Sequence, residues 1–194
     1  MHSLADTITK IFNPFVSILA TVLVVVLVQQ IPVSEKILWL VLGFFVSVGP
    51  AAVLYVQYKK GEITSLWSPT AAQRQKSFLV WMVASAIFSG LAFWLGAPRL
   101  ILALGLTFLA LGLLNLLLIP ILKISVHTQA ITILVITSLL SVSIGAIYLI
   151  ILILLVAWAR LQLKAHDLSE VSLGSLSALL AVYIVFSFFG LATF

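Results

Sequence analysis

The chain has 194 residues, of which 63% are hydrophobic and only 8% charged. Soluble domains carry roughly 25% charged and about 45–50% apolar residues, so this chain has too little polar surface to cover a globule in water. That balance excludes a soluble domain, a disordered chain and a nucleic-acid binder, and it describes a polytopic membrane protein.

Ten Lys and Arg against five Asp and Glu leave a formal charge of +5. In so apolar a chain the excess marks one membrane face rather than a nucleic-acid surface. No cysteine is present, which removes disulfides, thiolate metal sites and Cys nucleophiles. Residues 1–14 hold Asp6 and a single lysine, Lys10, without the basic region and small-residue cleavage site of a signal peptide. The first helix is therefore expected to be retained.

A spanning helix needs about 20 mostly apolar residues. Residues 15–31 form the first such run, closed by Pro32 and a polar turn at Ser34, Glu35 and Lys36. The second, 37–58, is interrupted by Gly49 and Pro50, where a kink is expected. Residues 59–77 form the longest polar stretch, with Lys59, Lys60, Glu62, Arg74 and Lys76, and a loop of that length is more than a connector. Trp67 within it suits the headgroup zone. The third span is 78–95, followed by a tight turn at 96–99. The fourth is 100–122, containing Asn115 and Pro120.

The apolar stretch 128–159 is open to two readings. As one helix it would be about 48 Å long, too long for a bilayer without steep tilt. Its middle, 137–145, is rich in Ser and ends in Gly145, so a hairpin of two shorter helices is the other reading. After the polar segment 160–170, residues 171–194 form the last span, where Gly174 and Ala178 offer a face for close packing. Trp39, Trp67, Trp81, Trp94 and Trp158 lie mostly near span ends and read as an interfacial belt. Asn115 and the Ser/Thr run at 137–143 read as interhelical hydrogen bonds.

Ionisable groups at or near hydrocarbon are costly and become functional candidates. Here they are Arg74, Lys76, Lys123, His127, Arg160, Lys164, His166 and Glu170. His166 and Glu170 are four apart, a spacing at which a carboxylate can accept the Nδ1–H of an imidazole and leave Nε2 free as base or nucleophile. Ser125 and His127 add a hydroxyl and a second imidazole just before another helix.

The string Arg160, five residues, His166, three residues, Glu170, then Val171 and Gly174, resembles the third motif of the type 2 phosphatidic acid phosphatase (PAP2) superfamily. That motif reads Ser-Arg, five residues, His, three residues, Asp. Ile124-Ser125-Val126-His127 resembles the second motif, Pro-Ser-Gly-His, and both strings look like a divergent bacterial branch. The first motif, Lys, six residues, Arg-Pro, is absent as written, although Lys60, Arg74 and Lys76 supply cations in the corresponding loop. Ala159 stands for the motif Ser, Glu170 for the Asp, and Ile124 and Val126 for Pro and Gly.

The resemblance implies an all-α transmembrane bundle of six to seven spans, with two N-terminal spans (15–58) and a PAP2-like core (59–194) in a single membrane domain. One phosphate site needs the loop at 59–77 and the segments 123–127 and 160–170 on the same face, which favours the hairpin and makes seven crossings. That face would carry most of the Lys and Arg, so the positive-inside rule makes it cytoplasmic, in a bacterial inner membrane. The implied chemistry is phosphoryl transfer through a phosphohistidine. His166 is the implied nucleophile, Glu170 orients it, and His127 serves as acid and base. Arg160, Ser125, Arg74, Lys76 and Lys123 would bind phosphate. No cofactor or metal is implied. The substrate would be a lipid phosphate or an isoprenoid phosphate or diphosphate, reached from the surrounding membrane lipids. The altered motifs leave an alternative: a degenerate member that binds lipid phosphate without turnover or serves as a structural subunit of a membrane complex. The partners expected beside lipid are further copies of the chain, as a homo-oligomer, or the other subunits of such a complex.

Overall fold

The computed structural model of the protein describes residues 2–63, 70–118 and 121–192. Eight α-helices and no strand are found among them. Trp67 and Pro120 lie outside the described residues.

A short amphipathic helix, α1 (His2–Ile11), precedes the first apolar helix, α2 (Pro14–Leu27). Asn13 separates them and caps α2, its side chain accepting from the amides of Phe15 and Val16, with Pro14 in the first-turn position where its missing N–H costs nothing. The two helices meet at 45°. Ala5 and Ile8 bury α1 against Val156 and Ala159, far along the chain.

Helix α3 (Val33–Lys59) continues through Pro50, and α4 (Ala71–Trp94) starts earlier than hydropathy suggests. The polar stretch 59–77 therefore contributes its last residues, from Ala71 on, to a helix. The reason is local: Thr70 and Gln73 form a reciprocal capping box that starts a helix in polar sequence. Helix α5 (Arg99–Leu118) then packs closely on α4, and Gly105 and Gly112 let them approach at Phe88 and Met82.

The stretch 128–159 is a hairpin. Helix α6 (Val126–Ser141) ends at Val142, a 3₁₀ turn spans Ile144–Leu149, and α7 (Ile150–Gln162) returns along α6. Helix α8 (Leu168–Phe188) completes the bundle. Among the described residues five helical segments are long and apolar enough to cross a membrane, taking the 3₁₀ turn together with α7, or six if α1 and α2 make one broken span. With large apolar side chains exposed along these helices, the chain is an integral membrane protein. The 16-residue α6 is shorter than a free span, but it lies between α2, α7 and α8, which shield it from lipid.

Asn115 of α5 and Gln129 of α6 are joined by two amide hydrogen bonds of 2.7 and 3.3 Å, and Gln129 also donates to Ser177 Oγ of α8 at 3.0 Å. Asn115 thus makes the expected interhelical bond. Ser141 instead bonds back to Thr137 O within its own helix. The tryptophan reading needs correction: Trp39 and Trp81 are core residues, 2% and 3% exposed. They pack on Phe88, Phe78 and Phe108 because α3 to α5 turn their aromatic faces inward. Trp94 is 78% exposed and fits an interfacial place.

Candidate functional site

Up-and-down packing decides what meets at each end of the bundle. The end of α3 and start of α4, the end of α5 and start of α6, and the end of α7 and start of α8 all fall at one end, beside the start of α2. The motif-like strings occupy those ends and starts. A cleft of about 630 Å³, counting its open mouth, lies there.

Its polar wall is made by Arg74 of α4, His127 of α6, Arg160 of α7 and His166 of the α7–α8 connection. His127, Arg160 and His166 are 7%, 2% and 6% exposed. The two guanidinium groups act on each other and on both imidazoles, so positive charge is concentrated in the cleft. Its other wall is apolar: Phe15 and Ile18 of α2, Pro50 and Leu54 of α3, Phe78 and Trp81 of α4. Ser77, also in the lining, donates to Pro50 O at 3.2 Å and ties α4 to α3.

His166 reaches the cleft because α7 stops short of it. Lys164, with φ of 50°, takes the left-handed position that usually falls to glycine, and Ala165 N closes back on Arg160 O at 3.1 Å. The chain then enters α8 with Asp167 as its N-cap and Glu170 as the capping-box partner. Glu170 does two things from that place. Its Oε2 accepts from the Asp167 amide at 3.3 Å and lies 2.7 Å from His166 Nδ1. An aspartate at this position would be one methylene too short to reach back to the cap. With Nδ1–H donated to Glu170, the Nε2 lone pair of His166 is left available.

Burial and the neighbouring Arg160 push His166 down from 6.5 to about 4, against the opposing pull of the Glu170 carboxylate. The unfolded chain therefore holds the extra proton over the window between about 4 and 6.5. Stability rises with pH across that window and falls as pH drops through it. The thermal midpoint in detergent should fall from pH 6.5 to pH 4 in the native protein. His166→Asn should flatten that slope, and an unchanged slope would contradict it.

His127 sits in the first turn of α6, which is clamped to α8. Ser125 N donates to Glu170 O at 3.2 Å, and Thr128 Oγ1 is 3.1 Å from Val171 O. His127 Nε2 and Ser125 Oγ are buried without a hydrogen-bond partner among the described residues. Ser125 is buried and does not line the cleft. Arg74 Nη1 reaches Ile124 O at 3.4 Å, so the start of α4 is also tied to this segment.

Two further residues read as phosphate ligands also stand outside the cleft lining. Lys76 pairs with Glu62 at 3.0 Å on the exposed surface. Lys123 turns away from the main cleft toward Ala165 O and Glu170, at 2.9 and 3.5 Å. Sequence reading missed the apolar wall of the cleft, since Phe15, Pro50 and Trp81 carry no motif. Among the described residues no three His, Asp or Glu side chains cluster as metal ligands.

Fold and site together define an all-helical integral membrane protein with a buried cationic cleft at one end of its bundle. No family model, curated protein or solved structure matched the chain.

Proposed function

We propose that the chain is a divergent PAP2-type membrane phosphatase, hydrolysing a lipid phosphate or an isoprenoid phosphate through a phosphohistidine. The observation that carries this reading is the convergence of Arg74, His127, Arg160 and His166 on a single cleft whose opposite wall is apolar. Cations on one side and hydrocarbon on the other suit an amphiphile with an anionic head.

In the reaction, His166 Nε2 attacks phosphorus as the bond to the leaving oxygen breaks, and His127 gives that oxygen its proton. A water then attacks the phosphohistidine, losing its proton to His127, and inorganic phosphate leaves. Arg74 and Arg160 would hold the non-bridging oxygens, Arg being suited to them by its planar fork. The excess of Lys and Arg on this face supports a cytoplasmic orientation.

Purified protein should release phosphate from phosphatidate or a polyprenyl phosphate in detergent with a chelator present. His127→Asn should slow release by roughly 10² to 10⁴-fold, the usual contribution of a positioned acid–base group. Absence of release from every lipid phosphate by the native protein would leave a binder without turnover and would contradict the proposal.

A further inference from the structure

The carboxylate that holds His166 is itself held by a residue outside the cleft. Lys123, in the connection between α5 and α6, spans both sides of His166. Its Nζ donates to the carbonyl of Ala165, the residue immediately before His166, at 2.9 Å. The same Nζ lies 3.5 Å from Glu170 Oε2, the oxygen 2.7 Å from His166 Nδ1. That single oxygen also takes the Asp167 amide at 3.3 Å.

We propose that Lys123 is a positioning residue, fixing the backbone before His166 and the carboxylate behind it so that the imidazole keeps its proton on Nδ1 and presents Nε2 to the cleft. The inference rests on the reading of His166 as nucleophile, but its geometry stands without that reading. Two features separate this role from that of a phosphate ligand. Lys123 does not line the main cleft, and its ammonium is already engaged by a carbonyl and a carboxylate.

The electrostatics follow from the groups around His166. Arg160 on α7 and Arg74 on α4 disfavour a positive imidazole, whereas Glu170 on α8 favours one; His127 on α6 faces the same cleft. Asp167, next in the chain, is exposed and engaged with Ser169 Oγ and the Glu170 amide. Lys123 partly neutralises Glu170, the one group facing His166 from a packed helix that draws a proton onto the ring. Removing Lys123 frees that pull, so protonation of His166 moves to higher pH. The Lys123 side chain is 45% exposed, so its replacement leaves the bundle intact.

The test uses the full chain in detergent with ¹⁵N-labelled histidine, comparing native protein, Lys123→Gln and Lys123→Arg, with His166→Asn to assign the signal. Ring nitrogen shifts report both tautomer and titration midpoint. In the native protein His166 should be the Nδ1–H tautomer at pH 7. In Lys123→Gln its midpoint should rise by about half to one pH unit, as expected for losing a charge a few ångströms away. The acid limb of kcat should move by the same amount with KM little changed, and Lys123→Arg should restore both. An unchanged midpoint in Lys123→Gln overturns the proposal. So does a defect confined to KM and to orthovanadate affinity, which would make Lys123 a phosphate ligand. If the native protein shows no turnover, the phosphatase reading fails, and the midpoint alone still decides the role of Lys123.

Discussion

His166→Asn should abolish phosphate release, by about 10⁴-fold or more, while the protein remains folded. The magnitude follows from its role: loss of a covalent nucleophile removes the first step entirely, whereas loss of an acid or base only slows it. Asparagine is chosen because its Nδ2–H can replace the Nδ1–H that meets Glu170 Oε2 at 2.7 Å. The capping box of α8 and the Lys123 contact then stay in place. Substrate binding should survive, because Arg74 and Arg160 remain, so added lipid phosphate should still protect the variant against heat. The measurement is phosphate release together with the thermal shift. Turnover within tenfold of native would remove His166 from the chemistry.

Gly174→Ala should be the most damaging single methyl in the protein. Its Cβ would lie 2.5 Å from Ser125 O and collide with Thr128 Oγ1. Both atoms belong to the start of α6, and a backbone oxygen cannot rotate aside as a long side chain could. Helix α6 would have to retreat from α8, breaking the contacts of Ser125 N with Glu170 O and of Thr128 Oγ1 with Val171 O. Overpacking of this kind costs about 1–3 kcal/mol, and displacing His127 from His166 by about 1 Å would cost roughly 10²-fold in rate. Gly90→Ala is the control: nothing lies within 4 Å of the place its methyl would take on the exposed side of α4, and replacing helical Gly by Ala gains up to about 1 kcal/mol. Thermal unfolding should therefore move in opposite directions for the two variants. Equal midpoints would show that α6 can shift from α8 without loss of stability.

Much of the architecture is legible in the amino-acid sequence. Apolar runs of span length announce the helices, and the need for one shared face favours the hairpin at 128–159, which α6 and α7 form. The spacing of His166 and Glu170 anticipates their contact, though by a route different from one continuous helix: the chain leaves α7 after Gln162 and re-enters a helix at Leu168. Hydropathy misplaces the start of α4 because it is blind to caps, and Thr70 with Gln73 begins a helix in polar sequence. Trp39 and Trp81 escape it for a related reason. Distance from a span end says nothing of which way a helix faces, and only the packing of α3, α4 and α5 turns those rings inward. Lys123 is visible as a cation near the site but not as a partner of Glu170, since that contact joins residues 47 apart in the chain.

The central claim is that a phosphoryl group passes through His166. The direct measurement is to present labelled phosphatidate or polyprenyl phosphate to the His127→Asn variant, in which hydrolysis of the intermediate is slowed, and to quench in alkali, where phosphohistidine survives. Label on the peptide carrying His166, lost on adding His166→Asn, is the predicted result. Label on another residue, or native turnover with none trapped on His166, would contradict it.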